Sequence, residues 1–164
     1  ALGYAVGPGT TDKDGITTAL VVVRAMERLR QWDDQPVGEA LGDLFDALAR
    51  RFGAHRTCNG SVRLDVPAGP AVASLRGTDV VAGRRVASED EPVPGTVRWF
   101  LDDGTRVVLR SSGTEPKAKF YVEAVSPVVD DDVGAAYRHA TAAARDVGRA
   151  VESLLVDAAG TPPQ

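Results

Sequence analysis

The stretch "RSSGTEPK", Arg110 to Lys117, gathers side chains that together can hold a small anion. Arg110 offers a permanently charged, two-pronged donor that matches phosphate oxygens, while Ser111, Ser112 and Thr114 add short hydroxyl donors. Gly113 lets backbone N–H groups converge on a ligand with no Cβ in the way, and concave runs of such groups bind anions. Pro116 stiffens the exit and Lys117 contributes a point charge. An apolar run delivers Arg110 and another begins near Lys119, so the segment turns between two strands. The same composition also suits a plain solvated turn, in which Ser, Gly, Glu and Pro only reverse the chain. Donor content alone leaves both readings open.

The elements that must position this turn lie between residues 67 and 160. A short helix through Ala71, Val72 and Leu75 opens the region, and the pattern then turns strand-like. "RRVAS" and "GTVRWFLDDGTRVVLR" alternate apolar and polar residues, with a hairpin turn at "DDG". "KAKFYVEAV" supplies a further strand with Phe120, Val122 and Ala124 on one face. After Pro127, "DDD" leads into a long helix carrying Val133, Ala136, Tyr137, Ala140, Ala144, Val147, Val151 and Leu154 at helical spacing. The expected unit is α+β: helix, four mostly antiparallel strands and helix, with both helices on one sheet face.

Residues 1–56 read differently. Ile16, Ala19, Leu20, Val23, Met26 and Leu29 mark one amphipathic helix with Asp12 or Asp14 as its cap. Val37, Leu41, Leu44, Phe45, Leu48 and Phe52 mark a second, ending at Gly53. Residues 57–66, rich in Gly and Pro, read as a linker with a short extended segment at Ser61 to Leu64. Two helices alone rarely make a stable domain. Another copy, the C-terminal unit or further chain is needed to cover them, and exposed faces at Leu20, Val23, Leu44 and Leu48 would invite self-association.

With 43% hydrophobic and 26% charged residues and a net charge of -4, the chain carries no global basic footprint for nucleic acid, so an anion site must be local. No apolar run is long enough to span a membrane. The single Cys58 forms no internal disulfide and reads as a packed side chain in a reducing, cytoplasmic setting. His55 and His139 are too isolated to suggest a metal site.

The order of residues in "RSSGTEPK" resembles the R-x-S-G-T-E-P-K phosphate-binding signature of the last domain of the α-D-phosphohexomutases, the superfamily of phosphomannomutase and phosphoglucomutase. "DKDGITTALVV" is similar to the K-D-G-[IV]-[ST] helix start of that superfamily's third domain, and "GYAVG" to the segment just before it. The wording is closest to the branch that includes phosphopentomutase-like members. The resemblance implies that residues 1–56 are the helical remnant of an α/β third domain and that 67–160 are the fourth, a four-stranded, TATA-box-binding-protein-like unit. It implies that Arg110, Ser112, Gly113 and Thr114 grip the phosphate of a phosphosugar remote from the reacting oxygen, with Lys117 as a weaker member. Lys13, in the K-D-G turn, matches a lysine that faces the sugar.

Such mutases move a phosphoryl group from a phosphoserine to the sugar through a bisphosphate intermediate, with magnesium and a sugar bisphosphate activator. The serine loop, typically T-A-S-H-N-P, and the magnesium loop, D-G-D-x-D-R, are not in this sequence. The expectation is therefore a C-terminal fragment, inactive by itself, whose metal ligands and N-terminal domains lie elsewhere. The alternatives are a stand-alone phosphate-binding module and a protein-interaction α+β domain, the latter favoured by an apolar open sheet face.

Overall fold

A computed structural model of the chain describes residues 14–33 and 36–160. The chain divides into two units, Ala1–Leu48 and Ala49–Gln164. In the first, helix α1 (Gly15–Asp33) starts where the sequence places its cap. The Asp14 carboxylate accepts from the backbone N–H groups of Ile16 and Thr17 at 2.9 and 3.1 Å and from the Thr17 hydroxyl. Asp12, Lys13 and "GYAVG" lie outside the described residues. Helix α2 (Val37–Phe52) also forms as expected and stops at Gly53, whose φ of +89° suits glycine. The apolar side chains of Ile16, Leu20, Val23, Leu44 and Leu48 are all exposed, while Ala49 near the end of α2 is buried with Ala54, Val133 and Ala136.

The second unit is a sheet of six antiparallel strands with helices packed on it. In chain order the elements are β1 (Ala54–Arg63), α3 (Ala68–Ala73), β2 (Val80–Val81), β3 (Arg84–Asp90), β4 (Thr96–Leu101), β5 (Arg106–Ser111), β6 (Lys117–Ser126) and α4 (Val133–Gly160). Their spatial order is β1-β6-β5-β4-β3-β2. The four strands expected are β3 to β6; β1 and β2 add two more. Most of the stretch read as a linker is β1, which pairs with β6 from Ala54↔Ser126 to Arg63↔Lys117. Gly60 suggested a break there, yet it serves the pairing. It lies opposite Phe120, and a Cβ on Gly60 would fall 2.3 Å from the Phe120 ring. The ring fills the space that the missing side chain leaves.

Strand β6 runs through the sheet with partners on both sides, and its pleat sorts its residues. Ala118, Phe120, Val122 and Ala124 are buried against the helices, while Lys117, Lys119, Tyr121 and Glu123 lie on the opposite face. The core continues through Val97, Trp99, Val107, Leu109 and Val72 to Ala144, Val147 and Val151 of α4. Leu155 completes the α4 stripe, fully buried, where the sequence suggested Leu154, which packs at the margin. Trp99, also fully buried, donates its Nε1–H to Glu89 at 2.9 Å, and the same carboxylate accepts from the N–H of Gly77 at 3.0 Å. Gly148 brings α4 onto β1, since a Cβ there would fall 2.7 Å from Cys58 Sγ. Cys58 is thus a packed side chain, as read from the sequence.

Entry to α4 is fixed by acids. Asp132 caps it by accepting from the N–H of Ala135 at 2.7 Å. Asp131 adopts a φ of +59° and reaches Arg50 at 2.6 Å. The "DDD" run is therefore structural, as is Gly104 in the hairpin after Asp102, where φ is +85°. Gly60→Ala should destabilise the sheet unit by about 1–3 kcal/mol through overpacking. Chemical denaturation would check this, and Phe120→Leu introduced beside it should return part of the loss.

Candidate functional site

Arg110 is the last residue but one of β5, and Lys117 is the first of β6. Between them the chain turns in a short loop closed by backbone hydrogen bonds. Ser112 N–H donates to the Lys117 carbonyl and Lys117 N–H to the Glu115 carbonyl, each at 2.8 Å. Leu64, just past β1, donates to the Pro116 carbonyl at 2.9 Å, so β1 is stitched to the same loop. The N–H groups of Gly113, Thr114 and Glu115 and the hydroxyls of Ser112 and Thr114 have no hydrogen-bond partner among the described residues. Those of Gly113, Thr114 and Glu115 belong to exposed residues.

Gly113 has no positive φ, and a Cβ built on it would meet nothing within 4 Å. The fold itself has no need of glycine there. What the missing side chain leaves open is the approach to the loop's own N–H groups.

Register decides which charges flank the loop. Arg110 stands opposite Lys119, Lys119 opposite Ser61, and Lys117 opposite Arg63. Directly opposed residues share a face. Arg63, Lys117, Lys119 and Arg110 therefore collect at one end of the sheet face that the helices leave uncovered. Sequence reasoning found Arg110 and Lys117 and missed the other two. Lys119 had a signal, the i, i+2 spacing of "KAK" in a strand; Arg63 fell in the short extended segment expected at Ser61 to Leu64, but the partner strand that brings it to the loop was not foreseen.

One anion of the chain already answers this cluster. Glu115 forms an ion pair with Lys117 at 2.5 Å. The hydrogen bond and charge of Lys117, followed by the charges of Arg63 and Lys119, hold its carboxyl below the ordinary value of 4.5. Arg110 makes a different contact. Its Nη2 donates to the Tyr121 hydroxyl at 3.3 Å, and its Nε is buried with no partner. Lys13 lies outside the described residues, so its place relative to the loop is not part of this geometry.

His55 is engaged by Glu123 at 3.2 Å, and among the described residues no three His, Cys, Asp or Glu side chains are grouped to hold a metal. The uncovered face is charged along its length, with Arg98 paired to Asp90 and Arg106 to Glu123. No helix among the described residues is long and apolar enough to cross a membrane.

The loop lies within a stretch that matches a known family domain. Residues 62–140 match the family model for the phosphoglucomutase/phosphomannomutase C-terminal domain. A probable phosphomannomutase of Haemophilus influenzae is 33% identical over 134 residues, covering 76% of this chain and 27% of that protein. A probable phosphoribomutase of Schizosaccharomyces pombe is 25% identical over 162 residues, covering 81% of this chain and again 27% of the relative. The chain thus spans about a quarter of the length of these curated relatives. In fold it is similar to the open form of a Paramecium phosphoglucomutase, pp63/parafusin, with a TM-score of 0.54 at 15% identity over 93% of this chain and 29% of that one. Residues 62–140 of the chain form a C-terminal domain of the phosphoglucomutase/phosphomannomutase family.

Proposed function

We propose that this chain is the C-terminal, phosphate-gripping part of a phosphosugar mutase that performs intramolecular phosphoryl transfer on hexose or pentose phosphates through a phosphoserine and a bisphosphate intermediate. The observation that carries this reading is the convergence of four cations, Arg63, Lys117, Lys119 and Arg110, on a loop whose N–H and hydroxyl donors have no partner among the described residues. A phosphate dianion has several acceptor oxygens and two charges to satisfy, and such a set of donors matches it. Arg110 would supply the forked contact, Ser112 and Thr114 the hydroxyls, and Gly113 the unobstructed N–H approach. Lys117 and Lys119 would contribute charge.

The loop holds the end of the substrate that is not reacting. Its assigned contribution is binding and orientation. Because it recognises a phosphate and little else, it accepts either end of a sugar bisphosphate, as a reaction with a reorienting intermediate requires. The phosphoserine, the magnesium ion that stabilises the transferring phosphoryl group and the loop that reads the sugar are assigned to the parts of the relatives' length that this chain does not span. Lys13 is assigned to the sugar. The exposed stripes of α1 and α2 are read as surfaces that the remainder of a third domain covers.

Glu115 competes with the ligand in this arrangement, since phosphate must share or displace it from Lys117. Its lowered pKa keeps it ionised across the neutral range, so the competition is constant there.

Three outcomes are expected. Arg110→Ala should weaken binding of inorganic phosphate or glucose 1-phosphate by about tenfold to a hundredfold, as for loss of a charged hydrogen bond; unchanged binding by calorimetry would return the loop to a plain solvated turn. Glu115→Gln should tighten phosphate binding about two- to fivefold between pH 6 and 8, by removing an exposed competing ion pair. The 164-residue chain, assayed with hexose 1-phosphate, bisphosphate activator and magnesium, should show no turnover.

A further inference from the structure

Tyr121 lies one pleat along β6 from Lys119, on the uncovered face, and so stands diagonally beside Arg110. Its hydroxyl oxygen accepts from Arg110 Nη2 at 3.3 Å, and the guanidinium carbon lies 5.6 Å from the centre of its ring. Among the described residues Tyr121 is the one hydrogen-bond partner of the Arg110 side chain, whose Nε is buried with no partner.

The contrast with neighbouring arginines gives this contact its meaning. Arg98 meets Asp90 through two donors, at 2.7 and 2.5 Å. Arg106 meets Glu123 at 2.5 Å. Each of these guanidinium groups is neutralised by a carboxylate. Glu123 is the acid on β6 nearest to Tyr121 along the same face, and Arg106 and His55 already occupy it. Arg110 alone of this group rests on a neutral oxygen and an aromatic face.

That difference is functional in kind. A carboxylate would orient a guanidinium but also cancel its charge and compete with any incoming anion. A phenol orients by its lone pairs and by the negative face of its ring while leaving the positive charge for a ligand. We propose that Tyr121 is a positioning residue of the phosphate cradle: it holds Arg110 in a fixed direction with its charge uncompensated. This rests on the reading of the loop as a phosphate site, and its test separates the two.

The measurement is titration of the 164-residue chain with inorganic phosphate, followed by backbone amide spectra and by the Nε–Hε resonance of Arg110, assigned through its loss in Arg110→Ala. Tyr121→Phe keeps the ring and removes the acceptor. It should weaken phosphate binding about three- to tenfold, the range for one hydrogen bond, and shift the Arg110 resonance before any phosphate is added. Tyr121→Leu should weaken binding further, and Tyr121→Glu should abolish it although it restores a hydrogen-bond acceptor. Backbone spectra that match the wild type outside the site establish that the fold persists, and Tyr121→Phe is mild enough to serve if the leucine variant unfolds. Wild-type affinity and an unmoved Arg110 resonance in Tyr121→Phe and Tyr121→Leu would overturn the proposal. Should Arg110→Ala itself bind phosphate as the wild type does, the phosphate reading fails, and Tyr121 with it as a cradle residue.

Discussion

Strand β6 is the constraint on which the rest of this unit depends. It is paired along its length with β1 on one side and along much of it with β5 on the other, so its pleat cannot slip by one residue without driving lysines into the core. With register fixed, Ala118, Phe120, Val122 and Ala124 face the helices, and Lys117, Lys119, Tyr121 and Glu123 face away. Core formation and assembly of the cationic end are one event. The hydrophobic burial that stabilises the sheet also holds four like charges near one another, which they would not do unaided.

That crowding of charge is relieved in two ways. Glu115 lies within the field of Lys117, Arg63 and Lys119 and partly neutralises it. Farther along the face, Arg98 and Arg106 each end on a carboxylate. The positive field is thereby confined to the loop end of a chain whose net charge is -4. A local excess of this kind draws an anion to one place and leaves the remaining surface indifferent to it.

Much of this was legible in the sequence. Alternation in "TVRWFL", "RVVLR" and "KAKFYVEAV" gave β4, β5 and β6, and helical spacing gave α1, α2 and α4, because each of these segments has one face buried or patterned as if to be buried. Residue order in "RSSGTEPK" identified the loop where composition left two readings open. What stayed hidden depended on partners distant in sequence. Gly60 reads as a break until Phe120 is laid across it, and Arg63 reads as an incidental charge until β1 is paired with β6. The choice of Leu155 over Leu154 turns on the helix's exact rotation against the sheet, which spacing fixes only to within a residue. Tyr121 looks like one more aromatic strand residue; its role shows only against arginines that have carboxylate partners.

The strand β1 gives the unit an unexpected boundary. The family match begins at residue 62, by which point most of β1 has passed. A piece excised at that point would retain the whole signature loop yet lose the hem of the sheet. Eight backbone positions of β6 would be left without their ladder, and the Phe120 ring would lose the strand that covers it at Gly60. The smallest portable version of this loop with its full sheet therefore starts at Ala54, and a shorter graft would carry the motif without the cloth it is sewn to.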